Sequence, residues 1–326
     1  MTVPYQGVPH GWFAVATSSE LRRGCVLERR YFGREWVLWR SVSGRVAMQD
    51  AYCPHLGAHL GDGRVCGEHL QCPFHHFEYA TDGRCAATPS GGAPPSIRLV
   101  GLPIRETNGI ILAHWHERGE APAWEPPDLD EEEFTGFHFS SRTFRGHPQE
   151  VSENSADCGH FGPTHGYGNA CITDGPRIEG HVLYSSYTMD RSLDFIGLPR
   201  AKAELSFDAQ VHGLGLSRVR ARVSRVGIEA DLLILPTPID ASTVQLRFGA
   251  RVRRSRVPLL TMLMKAAFVR GYHSDLLRDI PIWTRKRFVE RPPLTAAEAP
   301  IAMYRRYARQ FYCDASAGQR RAAVGE

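Results

Sequence analysis

The sequence predicts an α+β protein in two parts: a small all-β N-terminal domain, then a larger domain of long strands and one long helix. Three observations carry this. Short β-like runs separated by Gly and Asp turns fill the first third, a proline-rich acidic segment breaks the composition near residue 120, and long alternating runs beyond it give way to helical periodicity.

From Gly11 to about His116 the strand candidates include Trp36–Trp39, Arg45–Met48 and Gly109–His114, with turns at Ser43-Gly44, Gly61-Asp62-Gly63 and Thr81-Asp82-Gly83. Ala121–Pro127 and the acidic run Asp128–Glu133 read as a linker. The expected domains are 1–118 and 135–314, joined by 119–134 and followed by a flexible tail, 315–326. In the second domain Ser152–Phe161 is expected as a short helix that Gly162-Pro163 ends or redirects. Strands follow at Gly180–Met189, Ala201–Val211, Ser217–Val226, Glu229–Leu235 and Ser242–Val252, several alternating as in Val219, Ala221, Val223. Pro258 to about Phe288 reads as a long helix and Pro300–Phe311 as a last one.

Composition excludes several classes. A hydrophobic share of 42% with 23% charged residues is globular, not disordered. The net charge of +4 comes from arginines spread along the chain with only Lys202, Lys265 and Lys286 beside them, which does not make a nucleic-acid surface. Arg247, Arg251 and Arg253 alternate along a strand, so a solvated sheet face is expected there. Met1–Gly24 has no apolar h-region, and Val257–Val269, interrupted by Lys265, is too short to span a bilayer. Eight cysteines are too sparse for a disulfide scaffold. The expected compartment is therefore the cytoplasm, where cysteines more often hold metal.

The most informative segments are Cys53-Pro-His55 and Cys72-Pro-Phe-His75. One cysteine and one histidine on each of two turns can put both thiolates on one iron and both imidazoles on the other, the ligation of a Rieske [2Fe–2S] cluster. A structural zinc site is the rival, but zinc hairpins take two like ligands from one turn, with spacings such as C-x₂₋₄-C. His59, His69 and His76 read as surface or supporting groups, and Cys66 and Cys85 as buried free thiols. With Gly57 and Gly83 around them, the two segments closely resemble the N-terminal domain of Rieske non-haem iron oxygenases.

A second constellation follows in Glu153-Asn154-Ser-Ala-Asp157-Cys-Gly-His160-Phe-Gly-Pro-Thr-His165. Two histidines and one carboxylate with open positions opposite form the facial triad that binds Fe(II). Asp157 and His160, three apart, would share a helix face. His160 and His165 are roughly 140° apart on a regular helix, so Gly162-Pro163 must turn the chain for both to reach one ion. The segment, Asn154 included, resembles the catalytic signature of the same oxygenases. Arg278-Asp279-Ile-Pro-Ile-Trp283 resembles the steroid- and sterol-oxidising branch, which includes 3-ketosteroid 9α-hydroxylase and cholesterol 7-desaturase. That likeness nominates Asp279 as the third ligand, with Asp275 as the alternative.

The resemblance covers Gly11 to Tyr312. It implies a helix-grip second domain, a mononuclear Fe(II) beside the cluster, and a homotrimer in which Asp157 links a metal-site histidine to His75 of the next chain. It also implies a terminal monooxygenase that draws electrons from an external NAD(P)H-dependent reductase or ferredoxin, since the chain has no Gly-x-Gly-x-x-Gly after a strand and no plant-type cysteine spacing. Dioxygen and a large apolar, sterol-like or polycyclic substrate follow, to be hydroxylated, desaturated or demethylated. Leu259, Leu260, Met262, Leu263, Met264 and Phe268 are candidates for its cavity. A smaller aromatic or natural-product substrate stays open. So do a Rieske electron carrier with a lipid-binding domain and a sterol-binding module with structural zinc.

Overall fold

The computed structural model describes residues 7–129, 131–193, 198–224 and 227–313. The expected tail, Asp130 of the acidic run and Val226 at the end of an expected strand lie outside them. The chain divides into two compact units, Phe13–Glu125, and Pro126 onward with the residues up to Trp12.

The first unit is built of short strands: β1 (Gly11–Thr17), β2 (Val26–Tyr31), β3 (Arg34–Arg40), β4 (Val46–Asp50), β5 (Arg64–Cys66), β6 (His69–Gln71), β7 (Glu78–Tyr79), β8 (Cys85–Ala87), β9 (Gly101–Leu102), β10 (Ile104–Thr107) and β11 (Ile110–Trp115). They form sheets ordered β1-β11-β10, β2-β3-β4-β9 and β5-β6-β7-β8. Val37, Trp39, Leu60, Leu70 and Tyr79 pack with Cys53 and Cys72 in one buried cluster. Gln49 joins two of the sheets: it accepts from Trp39 Nε1 at 3.0 Å and donates to the Ala80 carbonyl at 2.9 Å. Gly83 is required where it stands, because its φ is +89° and a Cβ would lie 2.3 Å from the Leu99 carbonyl oxygen.

The second unit is one antiparallel sheet closed by a helix. Its elements begin with β12 (His138–Arg145), α1 (Pro148–Glu153) and α2 (Phe161–His165). The long strands are β13 (Gly168–Glu179), β14 (Val182–Leu193), β15 (Leu198–His212), β16 (Leu216–Val223), β17 (Ile228–Pro238) and β18 (Thr243–Val252), followed by α3 (Pro258–Arg285) and α4 (Ala299–Arg309). The sheet runs β12-β18-β17-β16-β15-β14-β13. Tyr272, Leu276 and Trp283 of α3 bury against Phe144, Leu246 and Phe248, and Trp283 stacks on Phe144 with ring centres 5.9 Å apart. Tyr304, Tyr307 and Phe311, on and just after α4, pack with Leu183 and Val211.

Three expectations are corrected. β12 and β13 are not among the expected strands because both lie at sheet edges: few of their residues are buried, and β13 carries Gly168, Asp174 and Pro176 with shifts of register. The expected helix Ser152–Phe161 is broken. α1 ends at Glu153, a 3₁₀ turn covers Asn154–Ala156, and Asp157 is extended, so Asp157 and His160 share no helix face. Gly162-Pro163 lies inside α2, where proline in a first turn gives up an N–H that has no helical partner anyway.

The arginine face is the third. Arg247 and Arg251 are 3% and 5% exposed. Residues just before β12 cover that face: Glu131 accepts from Arg218 at 2.7 Å and Arg220 at 2.8 Å, and the Phe134 ring lies under the guanidinium groups of Arg220 and Arg251. Fully buried Asp231 takes Arg220 at 2.6 Å and Arg251 at 2.7 Å. Alternation identifies the face but says nothing about what later lies on it. Only Arg253 of the three is exposed, paired with Glu229 at 3.0 Å.

Candidate metal centres and cavity

The two Cys–His segments fold into matching turns. Cys53 O accepts from Gly57 N at 2.9 Å and Cys72 O from His76 N at 3.1 Å, while the N–H groups of Cys53 and Cys72 donate to the carbonyls of Ala58 and Phe77. The φ angles at Gly57 and His76 are +76° and +54°, so His76 holds the left-handed position that glycine fills in the other turn. Both cysteines are buried, at 3% and 1% exposure, whereas His55 is exposed and His75 half-buried. The two imidazole centres are 4.9 Å apart and Phe77 stacks on His55 at 4.3 Å.

Two thiols inside and two imidazoles at the rim suit the mixed ligation of a Rieske cluster. Tyr79 Oη lies 3.0 Å from Cys53 Sγ, a contact the sequence did not announce. Burial pushes the Cys72 thiol up, and the neighbouring Cys53 adds to this, so without metal the Cys72 thiol is protonated. His59 Nδ1 accepts from Gly61 N, and His69 Nδ1 faces Glu78 at 3.2 Å, so both have supporting roles. Cys66 and Cys85 are free thiols, Cys85 buried and Cys66 partly so.

In the second unit, His160, His165 and Asp279 each offer one ligand atom within 4.8 Å of the others. His160 caps the start of α2 and His165 ends it, with ring centres 5.2 Å apart. His165 Nε2 lies 3.3 Å from Asp279 Oδ1, with the two side chains 4% and 8% exposed. His160 Nδ1 donates to the Asp157 carbonyl at 2.6 Å, which leaves Nε2 as its ligand atom. Burial pushes the His160 imidazole below its ordinary value despite Asp157 and Asp279 nearby, so the ring is neutral with a lone pair to give. One buried carboxylate beside two imidazoles is a donor set that suits a divalent ion.

The other candidates are sorted by the same geometry. Asp275 does not join the triad: it accepts from Tyr167 Oη at 2.8 Å and lies 3.0 Å from Arg191 Nη1. The Asp157 carboxylate is 27% exposed and 3.6 Å from His160 Nδ1, so within this chain its backbone carbonyl, not the carboxylate, orients the ring.

The triad borders a cavity of about 590 Å³ between the sheet and α3. Its wall is mostly apolar, with Leu205, Phe207, Val219 and Ile234 opposite Leu260, Leu263, Met264 and Phe268; Asn154 also borders it. Leu259 and Met262, expected there, point away and are 62% and 60% exposed. Arg191 and Tyr187, both on β14, also line this wall, and no local motif marks either of them. No helix among the described residues is long and apolar enough to cross a membrane.

Comparison with known proteins follows this division. Residues 11–100 match the Rieske [2Fe–2S] domain family and residues 114–312 the 3-ketosteroid 9α-hydroxylase C-terminal domain family. The chain is 30% identical to cholesterol 7-desaturase of Drosophila melanogaster, over 93% of this chain and 75% of that protein. It is 26% identical to the oxygenase component of 3-ketosteroid-9-alpha-monooxygenase from Rhodococcus rhodochrous, over 93% and 84%. Among solved structures, dicamba monooxygenase bound to dicamba shares the fold with a TM-score of 0.76 at 19% identity, covering 92% of this chain and 96% of that one.

Proposed function

The chain belongs to the Rieske oxygenases of the 3-ketosteroid 9α-hydroxylase type, oxidoreductases with a Rieske [2Fe–2S] cluster and a mononuclear iron, and we propose that it acts on a large, apolar, sterol-like ring compound. In this reading Cys53, His55, Cys72 and His75 hold the cluster, and His160, His165 and Asp279 hold the iron. The observation that carries it is the closeness of those last three side chains to one another at the wall of an apolar cavity of about 590 Å³. The names of the sterol-oxidising relatives support the substrate class. When loaded, the mononuclear iron supplies dioxygen activation, with electrons arriving from the cluster.

The protein's own residues do the rest. The Asp157 carbonyl fixes the tautomer and direction of His160, the buried Asp279 carboxylate compensates cationic charge, and the apolar wall excludes water while it orients the substrate. Asn154 stands at the cavity beside the triad segment. The partly exposed carboxylate of Asp157 is the link through which His160 couples to His75 of a second chain in a homotrimer. Electrons enter from an external NAD(P)H-dependent reductase or ferredoxin.

Metal analysis and turnover test this reading. The purified protein should contain about three irons per chain, two of them in the cluster, and with a reductase and NAD(P)H it should oxidise a sterol or 3-ketosteroid. About two irons would reject the oxygenase reading, and turnover of small aromatic acids alone would reject the substrate class. Asp157→Ala should keep all three irons and the cluster spectrum but slow oxidation of a pre-reduced cluster in a single turnover. Near-normal transfer would remove Asp157 from the path.

A further inference from the structure

The segment that carries His160 and His165 is fastened to the helix that carries Asp279 by a small polar group in an otherwise apolar wall. Tyr167, two residues after His165, donates its hydroxyl hydrogen to Asp275 Oδ2 at 2.8 Å. Asp275 lies one helical turn before Asp279 on α3. Arg191 of β14 donates to the Tyr167 hydroxyl oxygen at 3.1 Å and to Asp275 Oδ1 at 3.3 Å, and its guanidinium lies 5.3 Å from the centre of the Tyr167 ring. Arg278, beside Asp279, donates to the His165 carbonyl at 3.2 Å.

Tyr167 is 8% exposed, and the Arg191 and Asp275 side chains are 22% and 16% exposed. A charged pair in an apolar wall is costly unless each group is hydrogen-bonded, and these three satisfy one another. Their bonds join three elements: the turn after α2, β14 and α3.

We infer that Tyr167, Asp275 and Arg191 form a clasp that sets the distance between His165 and Asp279, and so determines how firmly the mononuclear site holds its ion. These are positioning residues: none belongs to the triad, and each acts through the element that bears a ligand. The inference rests on the reading of His160, His165 and Asp279 as metal ligands. It also gives Asp275 a function, since its carboxylate is used in holding Tyr167 and Arg191 rather than the ion.

The test measures release of iron from the reduced, fully loaded protein to a ferrous chelator, with the cluster followed separately by its own absorbance. Tyr167→Phe keeps the ring and deletes only the hydroxyl, and it should release the mononuclear iron about ten- to a hundredfold faster than the wild type, the usual effect of removing a group that supports a ligand. Arg191→Lys, which keeps the charge but loses the forked geometry, should fall between the two. Tyr307→Phe is the control, because its buried hydroxyl bonds the Val211 carbonyl at 2.7 Å and joins no ligand-bearing element. Its release rate should equal the wild type's. Equal rates for Tyr167→Phe and the wild type would overturn the clasp while the metal site stands. Equal acceleration by Tyr307→Phe would also overturn it, by showing a general loosening. A wild type with no iron beyond the cluster would overturn the metal site and the clasp together.

Discussion

Acid should destabilise this protein through two buried imidazoles, and His147 offers the cleanest way to see it. His147 caps α1 from the outside, with its Nδ1 accepting from Gln149 N at 3.2 Å, and it is 2% exposed. Burial pushes it from 6.5 down to about 4, against a weaker upward pull from the Gly7 backbone. Protonation would remove the acceptor that Gln149 uses and set a positive charge against the positive end of a helix. His212 is likewise held to about 4, by burial first and then by His181 and Arg218. Between pH 6.5 and 4 the unfolded chain binds a proton on each ring and the native chain does not, so stability is full above pH 6.5 and falls as pH drops towards 4. At about 1.4 kcal/mol per pH unit, each ring accounts for about 3 kcal/mol across that window. That is a large share of a typical stability of about 5–15 kcal/mol. His147→Gln keeps an acceptor for Gln149 and cannot titrate. Urea unfolding of the loaded protein at pH 7 and pH 4.5 should therefore show the variant losing about 2–3 kcal/mol less than the wild type on acidification. Comparing the pH-dependent loss, rather than either stability alone, cancels any fixed cost of the substitution. An identical loss in both proteins would refute the reasoning.

Other outcomes follow from the same geometry. Asp279→Ala should lower iron from about three towards two per chain with the cluster spectrum unchanged, whereas Asp275→Asn should weaken the site without emptying it; the reverse ranking by metal analysis would exchange their roles. His76→Gly should leave the Rieske spectrum intact and raise thermal stability, because φ at 76 is +54° and glycine adopts it without a Cβ penalty; loss of the spectrum would make His76 a ligand. Asp231→Ala should cost about 3–5 kcal/mol, since it strands Arg220 and Arg251 under the covering segment, and a loss below about 1 kcal/mol by chemical denaturation would show that the face is wet.

The cluster segments were legible because the chemistry is local: each turn carries its own cysteine and histidine, and each closes with the N–H four residues on donating to the cysteine carbonyl. The His160–His165 pair was legible for the same reason, although the reason given for their convergence was wrong. Gly162-Pro163 does not redirect the chain between them; it lies inside α2. His160 stands at the N-cap and His165 at the end of a single helix of barely more than one turn, with ring centres 5.2 Å apart. Asp279 came from likeness to a family motif; spacing alone left Asp275 beside it. What separates them is three-dimensional, because Tyr167 and Arg191, from distant parts of the chain, claim the Asp275 carboxylate.

The same distinction explains the arginine face, and it bears on how the site is built. Period-two alternation reports which residues share a side of a strand, and for Arg247 and Arg251 it did so correctly. Whether that side meets water depends on Glu131 and Phe134, more than a hundred residues earlier, folding back over it. The face was misread because the segment that covers it and Asp231 is remote in sequence, and Asp275 in the cavity wall stayed open beside Asp279 because Tyr167 and Arg191 are remote as well. Each carboxylate is held by arginine, whose fixed fork can satisfy a buried carboxylate. The arginine bias of the composition, which gives no information about a nucleic-acid partner, is in this fold partly a supply of guanidinium groups for burying carboxylates. One of those carboxylates, Asp275, stands a single helical turn from Asp279, where a small shift of α3 would change the distance between His165 and Asp279.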